Sequence, residues 1–97
     1  MNITVSEIAE ISGGMIVGAD SRAIVSGFDF DSRVQRSGAG FVALSDDRDG
    51  HDYVSAALEH GATVALVARI PEGVDGPLVV VEDPLRALGQ IAKFARS

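Results

Sequence analysis

Cysteine and tryptophan are both absent from this 97-residue sequence, and aromatic residues make up only 5% of it. Without cysteine the chain can form no disulfide, no thiolate metal site and no cysteine nucleophile. It also lacks a run of about 18 apolar residues, so the sequence contains no candidate transmembrane helix. The first residues do not combine a basic segment with an apolar core, and we therefore expect no secretory signal.

Basic residues are scarce as well, since eight Lys and Arg stand against 14 Asp and Glu, for a net charge of −6. This balance argues against a nucleic-acid partner or an anionic membrane partner. A phosphate could still bind to one local arginine or to a set of backbone N–H groups. At this length, residues 1–97 predict a single domain with one hydrophobic core.

Glycine-rich phosphate loops and nucleophile motifs are also missing. Gly13-Gly14 and Gly38-Ala39-Gly40 match neither a Walker A loop nor a dinucleotide-binding fingerprint. The sequence has no nucleophile elbow. We therefore do not expect the chain to bind ATP or NAD by these routes, or to act as an enzyme by itself.

Capping signals predict the ends of two helices. Thr4 and Glu7 form a capping box, which predicts a helix that ends at Gly13 or Gly14. Asp83-Pro84 is typical of the start of a second helix, with Asp83 as N-cap and proline in the first turn. The residues expected to form the buried stripe of that helix are Leu85, Leu88, Ile91, Ala92 and Ala95.

Apolar and β-branched runs predict five strands. These runs cover residues 15–17, 23–30, 41–44, 63–67 and 78–81. A further helix is predicted from about Asp52 to His60, before Gly61. Because strands and helices alternate in the second half, the predicted fold class is α/β, with a mixed, partly parallel sheet of about five strands and helices packed on it.

Polar loops follow two of these strands. Asp31-Ser32-Arg33 comes after the strand that ends at Phe30, and residues 45–50 come after Phe41–Leu44. If the two strands are neighbours, both loops lie where ligands bind in open α/β sheets, at the carboxyl ends of the strands. A hydroxyl beside a guanidinium can fix a planar polar group or a phosphate. The alternative is that Asp31 and Arg33 only tie down their own turn, and the residues alone leave both interpretations open.

Several aspartates and both histidines lie near these loops. Carboxylates are the ligands that hard divalent cations prefer. The candidates are Asp29, Asp31, Asp46, Asp47 and Asp49. Aspartate is also a common turn former, so we expect solvated turn residues and no metal site. For His51 and His60 we expect a capping or surface role instead of a catalytic base, because no nucleophile or orienting group accompanies them.

Several segments, taken in order, carry a resemblance to a known family. They are Asp31-Ser32-Arg33, Gly40-Phe41-Val42-Ala43-Leu44, Asp49-Gly50-His51-Asp52-Tyr53, Gly61-Ala62 and Val81-Glu82-Asp83-Pro84-Leu85-Arg86-Ala87-Leu88-Gly89. Together they resemble the N-terminal domain of Mur ligases, the ATP-dependent amino-acid ligases of bacterial peptidoglycan synthesis, and they cover nearly the whole chain. The Asp-Gly-His-Asp-Tyr stretch and the last helix are most similar to the members that add D-alanyl-D-alanine. The diaminopimelate- or lysine-adding members are the near alternative.

This resemblance implies a domain that binds the UDP moiety of UDP-N-acetylmuramoyl-peptide in the bacterial cytoplasm. It implies that Phe30 and Ser32 contact the uridine, and that Asp46, Asp47 and Arg48 form a second uridine-contacting loop. Because the carboxylates of these loops would repel a diphosphate, we expect Arg33 or Arg48 to offset them. ATP, Mg²⁺ and the ligation itself are expected to belong to the central and C-terminal domains of the same ligase, so this segment alone is not expected to be catalytic. A non-catalytic interaction module that keeps the fold is the alternative.

Gly40 departs from the family pattern, which usually has a large apolar residue at that position. A glycine within a strand offers no side chain to pack. We therefore expect a slightly weaker core at this point.

Overall fold

The computed structural model describes residues 2–44 and 49–96. In chain order, the strands and helices of these residues are β1 (Asn2–Thr4), α1 (Val5–Ser12), β2 (Met15–Val17), β3 (Ile24–Ser26), β4 (Phe28–Asp29), β5 (Gly40–Val42), α2 (Val54–Glu59), β6 (Ala65–Val67), β7 (Leu78–Val80) and α3 (Pro84–Arg96). Two short 3-10 turns add to them, the first over Ser32–Val34 and the second over Gly50–Tyr53.

Five strands form the main sheet, in the order β2-β7-β6-β5-β4. The four strands from β4 to β7 are parallel, and β2 runs antiparallel to β7. This arrangement confirms the predicted mixed, partly parallel sheet of about five strands. Because β4 to β7 are parallel, the segments that follow them all leave from one edge of the sheet.

Helices cover both faces of the main sheet. One face packs against α1 and α3, where Val42, Leu66 and Val79 meet Ile8 and Ile91 in the larger cluster of buried residues. The other face packs against α2, and its buried residues are Phe41, Ala43, Val54, Ala57, Ala62, Ala65, Val67 and Leu78. Neighbouring residues of each strand thus enter opposite clusters, as the alternation of side chains along a strand requires.

The two predicted capping signals hold in the structure. The Glu7 N–H donates to Thr4 Oγ1 at 3.1 Å, and the Thr4 N–H donates to Glu7 Oε1 at 3.0 Å. α1 ends at Gly13, whose φ of 70° lies in the left-handed region that glycine adopts without strain. At the start of α3, Asp83 Oδ1 accepts from the N–H groups of Leu85 and Arg86 at 3.1 and 3.2 Å.

The single strand predicted over residues 23–30 is wrong. The extended backbone is interrupted at Gly27, whose φ of 78° is incompatible with a continuous strand. On one side, β3 pairs antiparallel with β1 in a small two-stranded sheet, where Val25 lies opposite Ile3. On the other side, β4 joins the edge of the main sheet. The sequence reading also missed β1, which has only three residues and a partner more than twenty residues away.

Two predicted helices need smaller corrections. The segment predicted as a helix from Asp52 begins as the second 3-10 turn and becomes α2 only at Val54. In α3 the predicted buried stripe is partly wrong, because Leu85 is 62% exposed and Ala95 is also exposed. Ile91 is buried as predicted, and Leu88 and Ala92 are half-buried, whereas Pro84 and Ala87 are buried although they were not in the predicted stripe. Leu85 lies about 100° around the helix from Pro84 and so points away from the sheet.

Gly40 is packed more closely than its missing side chain suggests. A Cβ placed on Gly40 would lie 2.8 Å from two ring carbons of Phe28 and 3.1 Å from the Val25 side chain. The Phe28 ring therefore occupies the volume that a larger residue at position 40 would fill. This packing offsets the weaker core that we expected from a glycine in β5.

Candidate functional site

The carboxyl ends of β4 and β5 define the candidate site. The two strands are adjacent and parallel, with Phe28 opposite Gly40 and Asp29 opposite Phe41. The segments that follow β4 and β5 therefore start side by side at the carboxyl ends of the two strands, which is the arrangement that the binding hypothesis requires. The predicted site residues Asp46, Asp47 and Arg48 lie outside the described residues.

The loop after β4 carries the three other predicted site residues. Phe30 is 54% exposed, although its ring is apolar, whereas Ser32, at the start of the first 3-10 turn, is only 6% exposed. Arg33 forms a two-point ion pair with Asp31, its Nε donating to Oδ1 at 3.0 Å and its Nη2 to Oδ2 at 2.7 Å. The Arg33 N–H donates to the same Oδ1 at 3.0 Å. Asp31 and Arg33 thus tie down their own turn, as the structural interpretation of these residues expects.

A second ion pair joins the far end of this loop to β4. Arg36 donates from its backbone N–H to Asp29 Oδ2 at 2.9 Å and from its Nε to both carboxylate oxygens at 3.1 Å. Hydrogen bonds from the Arg36 side chain are the main reason that the pKa of Asp29 lies below its usual value. The carboxylate of the last β4 residue is therefore committed to holding the loop.

A histidine from α2 also reaches this loop. His60 follows the last residue of α2, and its Nδ1 lies 2.6 Å from the backbone carbonyl oxygen of Ser32. A carbonyl oxygen can only accept, so Nδ1 carries the proton and donates it. This hydrogen bond connects the first 3-10 turn to a helix 28 residues further along the chain.

A hydrogen bond joins Leu44 and Gly50, the two residues that form the neck of the loop after β5. The Gly50 N–H donates to the carbonyl oxygen of Leu44 at 2.8 Å. A Cβ on Gly50 would lie 2.6 Å from Leu44 N, 2.7 Å from Leu44 O and 2.9 Å from the carbonyl carbon of Ala43. Because all three atoms belong to the backbone, only glycine fits at this position without moving the chain.

His51 ties this neck to the end of β6. The ring is only 3% exposed, and its Nδ1 lies 2.7 Å from Asp49 Oδ1. Its Nε2 accepts from the Ala68 N–H at 2.9 Å, so the proton sits on Nδ1 and points to the carboxylate. Arg69 pairs with the other Asp49 oxygen. Arg69, followed by the His51 N–H groups, holds the pKa of Asp49 well below its usual range.

The chain aligns with ligases of peptidoglycan synthesis over most of its length. It is 39% identical over 90 residues to the UDP-N-acetylmuramoyl-tripeptide–D-alanyl-D-alanine ligase of Mycobacterium leprae, a match that covers 87% of this chain and 17% of that ligase. It is 34% identical over 97 residues to the same ligase of Escherichia coli, covering 99% of this chain and 21% of that one. A crystal structure of MurF from Acinetobacter baumannii superposes with a TM-score of 0.82 at 28% identity, over 99% of this chain and 21% of that chain.

The chain belongs to the Mur ligase family. It corresponds to the N-terminal domain and spans about a fifth of the length of the relatives it matches. A diaminopimelate-adding relative, the UDP-N-acetylmuramoyl-L-alanyl-D-glutamate–2,6-diaminopimelate ligase of Bacteroides thetaiotaomicron, is 38% identical over 79 residues, or 78% of this chain and 16% of that ligase. No protein-family model matches the chain.

Three aspartates near the candidate site of this Mur ligase domain pair with arginines of the protein itself. Asp29 faces Arg36, Asp31 faces Arg33, and Asp49 faces Arg69. Within residues 2–44 and 49–96, no group of three or more His, Asp or Glu side chains is placed to hold a metal ion. In the same ranges, no helix is long and apolar enough to cross a membrane.

Sequence reasoning about the Mur ligase domain missed the roles of its histidines. His51 was expected at a cap or on the surface, but it is a buried bridge between two loops. The signal was available in Asp49-Gly50-His51, since a glycine followed by a histidine two residues after an aspartate permits the close turn seen here. His60 is exposed, as a surface role requires, yet it also donates a hydrogen bond to the candidate site.

Proposed function

We propose that this domain recognises the UDP end of UDP-N-acetylmuramoyl-tripeptide in a ligase that adds D-alanyl-D-alanine. The observation that carries the proposal is the parallel pairing of β4 and β5, which places the carboxyl ends of these two strands side by side. The names of its relatives support the same substrate. The diaminopimelate- or lysine-adding ligase is the alternative parent, supported by the Bacteroides relative.

The residues after β4 supply complementary chemistry for a uridine. The exposed ring of Phe30 offers an apolar face on which a base can pack, and such contacts contribute about 1–3 kcal/mol per base. The hydroxyl of Ser32 is the proposed hydrogen-bond partner of the uridine. Arg33 or Arg48, or backbone N–H groups, would face the diphosphate. Because Arg33 is already paired with Asp31, a phosphate that binds to Arg33 has to share the guanidinium with the Asp31 carboxylate or displace that carboxylate.

Catalysis is proposed to belong to the rest of the ligase. Since the chain spans about a fifth of its relatives, ATP, Mg²⁺ and the amide-forming step are assigned to the parts outside it. The proposed partners are the substrate and the other domains of the same polypeptide, and the proposed location is the bacterial cytoplasm.

A titration of the 97-residue chain with UDP, followed by backbone amide chemical shifts, tests the proposal. We expect saturable shifts at residues 30–33 and 45–51, and weaker effects from ADP at equal concentration. Phe30→Ala should weaken UDP binding about tenfold, because it removes the apolar face. Val34→Ala is the matched control, since Val34 is 70% exposed in the neighbouring turn and has no assigned contact with the nucleotide. Shifts confined to other regions would contradict the proposal.

A non-catalytic interaction module remains a second candidate. The pairing of Arg33 with Asp31 favours it, because a guanidinium held by a carboxylate is less available to a phosphate. In that case millimolar UDP would leave every amide shift unchanged, whereas a protein partner would shift the same edge.

A further inference from the structure

The His60 hydrogen bond links the candidate uridine site to α2. Its acceptor, the Ser32 carbonyl, belongs to a residue that is 6% exposed and that begins the turn proposed to contact the nucleotide. Its donor is the ring of His60, an exposed residue that directly follows α2, the helix between β5 and β6. A substitution at His60 can therefore affect the position of Ser32 while every residue proposed to contact the nucleotide keeps its identity.

The backbone around His60 is fixed independently of this bond. The His60 N–H donates to the Ala56 carbonyl at 3.0 Å, which completes the last turn of α2. The next residue, Gly61, has a φ of 98° and accepts from the Gly38 N–H at 3.0 Å. The imidazole thus projects from a fixed point of the backbone and reaches the Ser32 carbonyl.

The turn itself is held mostly by its own residues. Asp31 accepts from the N–H groups of Arg33 and Val34, the first through its side chain and the second through its carbonyl. These bonds fix the shape of the turn, and the Arg36–Asp29 ion pair holds the end of the loop on β4, but neither of them ties the turn to α2. β4, from which the turn leaves, has two residues and pairs with β5 at the edge of the main sheet. The bond from His60 adds a connection to α2, which neither this two-residue strand nor the Arg36–Asp29 pair supplies.

We propose that His60 is a positioning residue for nucleotide recognition, which it serves by holding the Ser32 turn against α2. The inference rests on the proposed function, because it assigns His60 a part in the same uridine site. His60 itself does not contact the nucleotide in this scheme. Its contribution is to limit the positions that Ser32 and Phe30 adopt before binding, which lowers the ordering cost of association.

Two substitutions separate the hydrogen bond from the rest of the ring. Asparagine places an N–H donor at the position of Nδ1, whereas leucine has a similar size and no donor. We expect His60→Leu to weaken UDP binding about three- to tenfold, the effect of one lost hydrogen bond, and His60→Asn to stay within about twofold of the unchanged chain. Glu59→Gln, on the same exposed turn, is the matched control and should leave affinity unchanged. Because His60 is exposed, all three variants are expected to fold, which urea unfolding checks.

Amide shifts of the free variants test the positioning role without any nucleotide. The Arg33 amide directly follows the Ser32 carbonyl, so its resonance should move in His60→Leu and return in His60→Asn. If the unchanged chain shows no response to UDP but this pattern appears, the proposed function fails while the structural link stands. The positioning role is overturned if His60→Leu binds UDP as tightly as the unchanged chain, or if His60→Asn is as weak as His60→Leu.

Discussion

Replacing Gly50 with alanine should destabilise the domain strongly, because the added methyl group would collide with backbone atoms. The new Cβ would meet Leu44 N at 2.6 Å, Leu44 O at 2.7 Å and the Ala43 carbonyl carbon at 2.9 Å, all shorter than the 3.4 Å at which ordinary contact begins. Backbone atoms cannot rotate away as a flexible side chain can. The chain must therefore separate at the neck of the loop, which also breaks the 2.8 Å hydrogen bond from Gly50 to Leu44.

The size of this effect follows from two contributions. Overpacking in a tight site costs about 1–3 kcal/mol, and the lost hydrogen bond adds about 0.5–1.5 kcal/mol. We therefore expect Gly50→Ala to lower the free energy of unfolding by about 2–4 kcal/mol and Tm by at least about 10 °C. Circular dichroism during thermal and urea unfolding measures both quantities, and it does not depend on tryptophan, which the chain lacks.

Gly89→Ala is the matched control for the same chemical change. Gly89 lies within α3, and no described atom outside its own helix lies within 4 Å of its Cβ position. Alanine there should raise stability by about 0.5–1 kcal/mol, because glycine is a poor helix former. The reasoning about the loop neck is refuted if Gly50→Ala unfolds within about 0.5 kcal/mol of the unchanged chain.

Three other changes give expected outcomes that urea unfolding can check. Asp49→Asn should destabilise the domain at about pH 7. The pKa of Asp49 is lowered, chiefly by the hydrogen bond from Arg69, so the stability that its ionised form contributes is fully present above the unfolded pKa of about 3.9 and is lost progressively as pH falls below it. The difference should therefore shrink at acid pH, and a constant difference would contradict this assignment. Gly40→Ala should lower the free energy of unfolding by about 1–3 kcal/mol, because the ring carbons of Phe28 lie 2.8 Å from the new Cβ. The loss should be clearly smaller when Phe28 is also replaced by leucine, and equal losses in both cases would show that the ring is not the obstacle. Asp83→Ala should cost about 1 kcal/mol through the lost cap of α3, and an unchanged midpoint would mean that the cap contributes nothing.

Local signals made part of the fold predictable. The capping box of Thr4 and Glu7 and the cap of Asp83 act within four residues, so the sequence contains all the information they need. The buried strands β5, β6 and β7 were predictable for a similar reason, since each is a short apolar run between polar or glycine-rich segments. Their exact ends were less so, because pairing with neighbours decides where a strand stops.

Non-local contacts explain what the sequence did not reveal. Apart from Gly27, residues 23–30 are typical of a single strand. In the structure Gly27 has a positive φ, and the strand before it pairs with β1 in a separate sheet. β1 exists because β3 lies beside it, which no local pattern records. For the site, the adjacency of β4 and β5 was a hypothesis that the register confirms. The burial of His51 depends on the end of β6, 17 residues away, and so had no local signature beyond the glycine before it.

The break at Gly27 has a practical consequence for handling the protein. β3 and β4 are separated by one residue but belong to different sheets, so the two-stranded sheet of β1 and β3 sets the direction from which the chain enters β4 and the candidate site. A fusion or truncation that disturbs Asn2–Thr4 would therefore also displace Phe30. This residue is far from β1 in the sequence but follows closely after β3, the strand that pairs with β1. Proteins made for binding assays should therefore carry any tag at the carboxyl terminus. A weak affinity measured with an amino-terminal tag could result from the tag and not from the site.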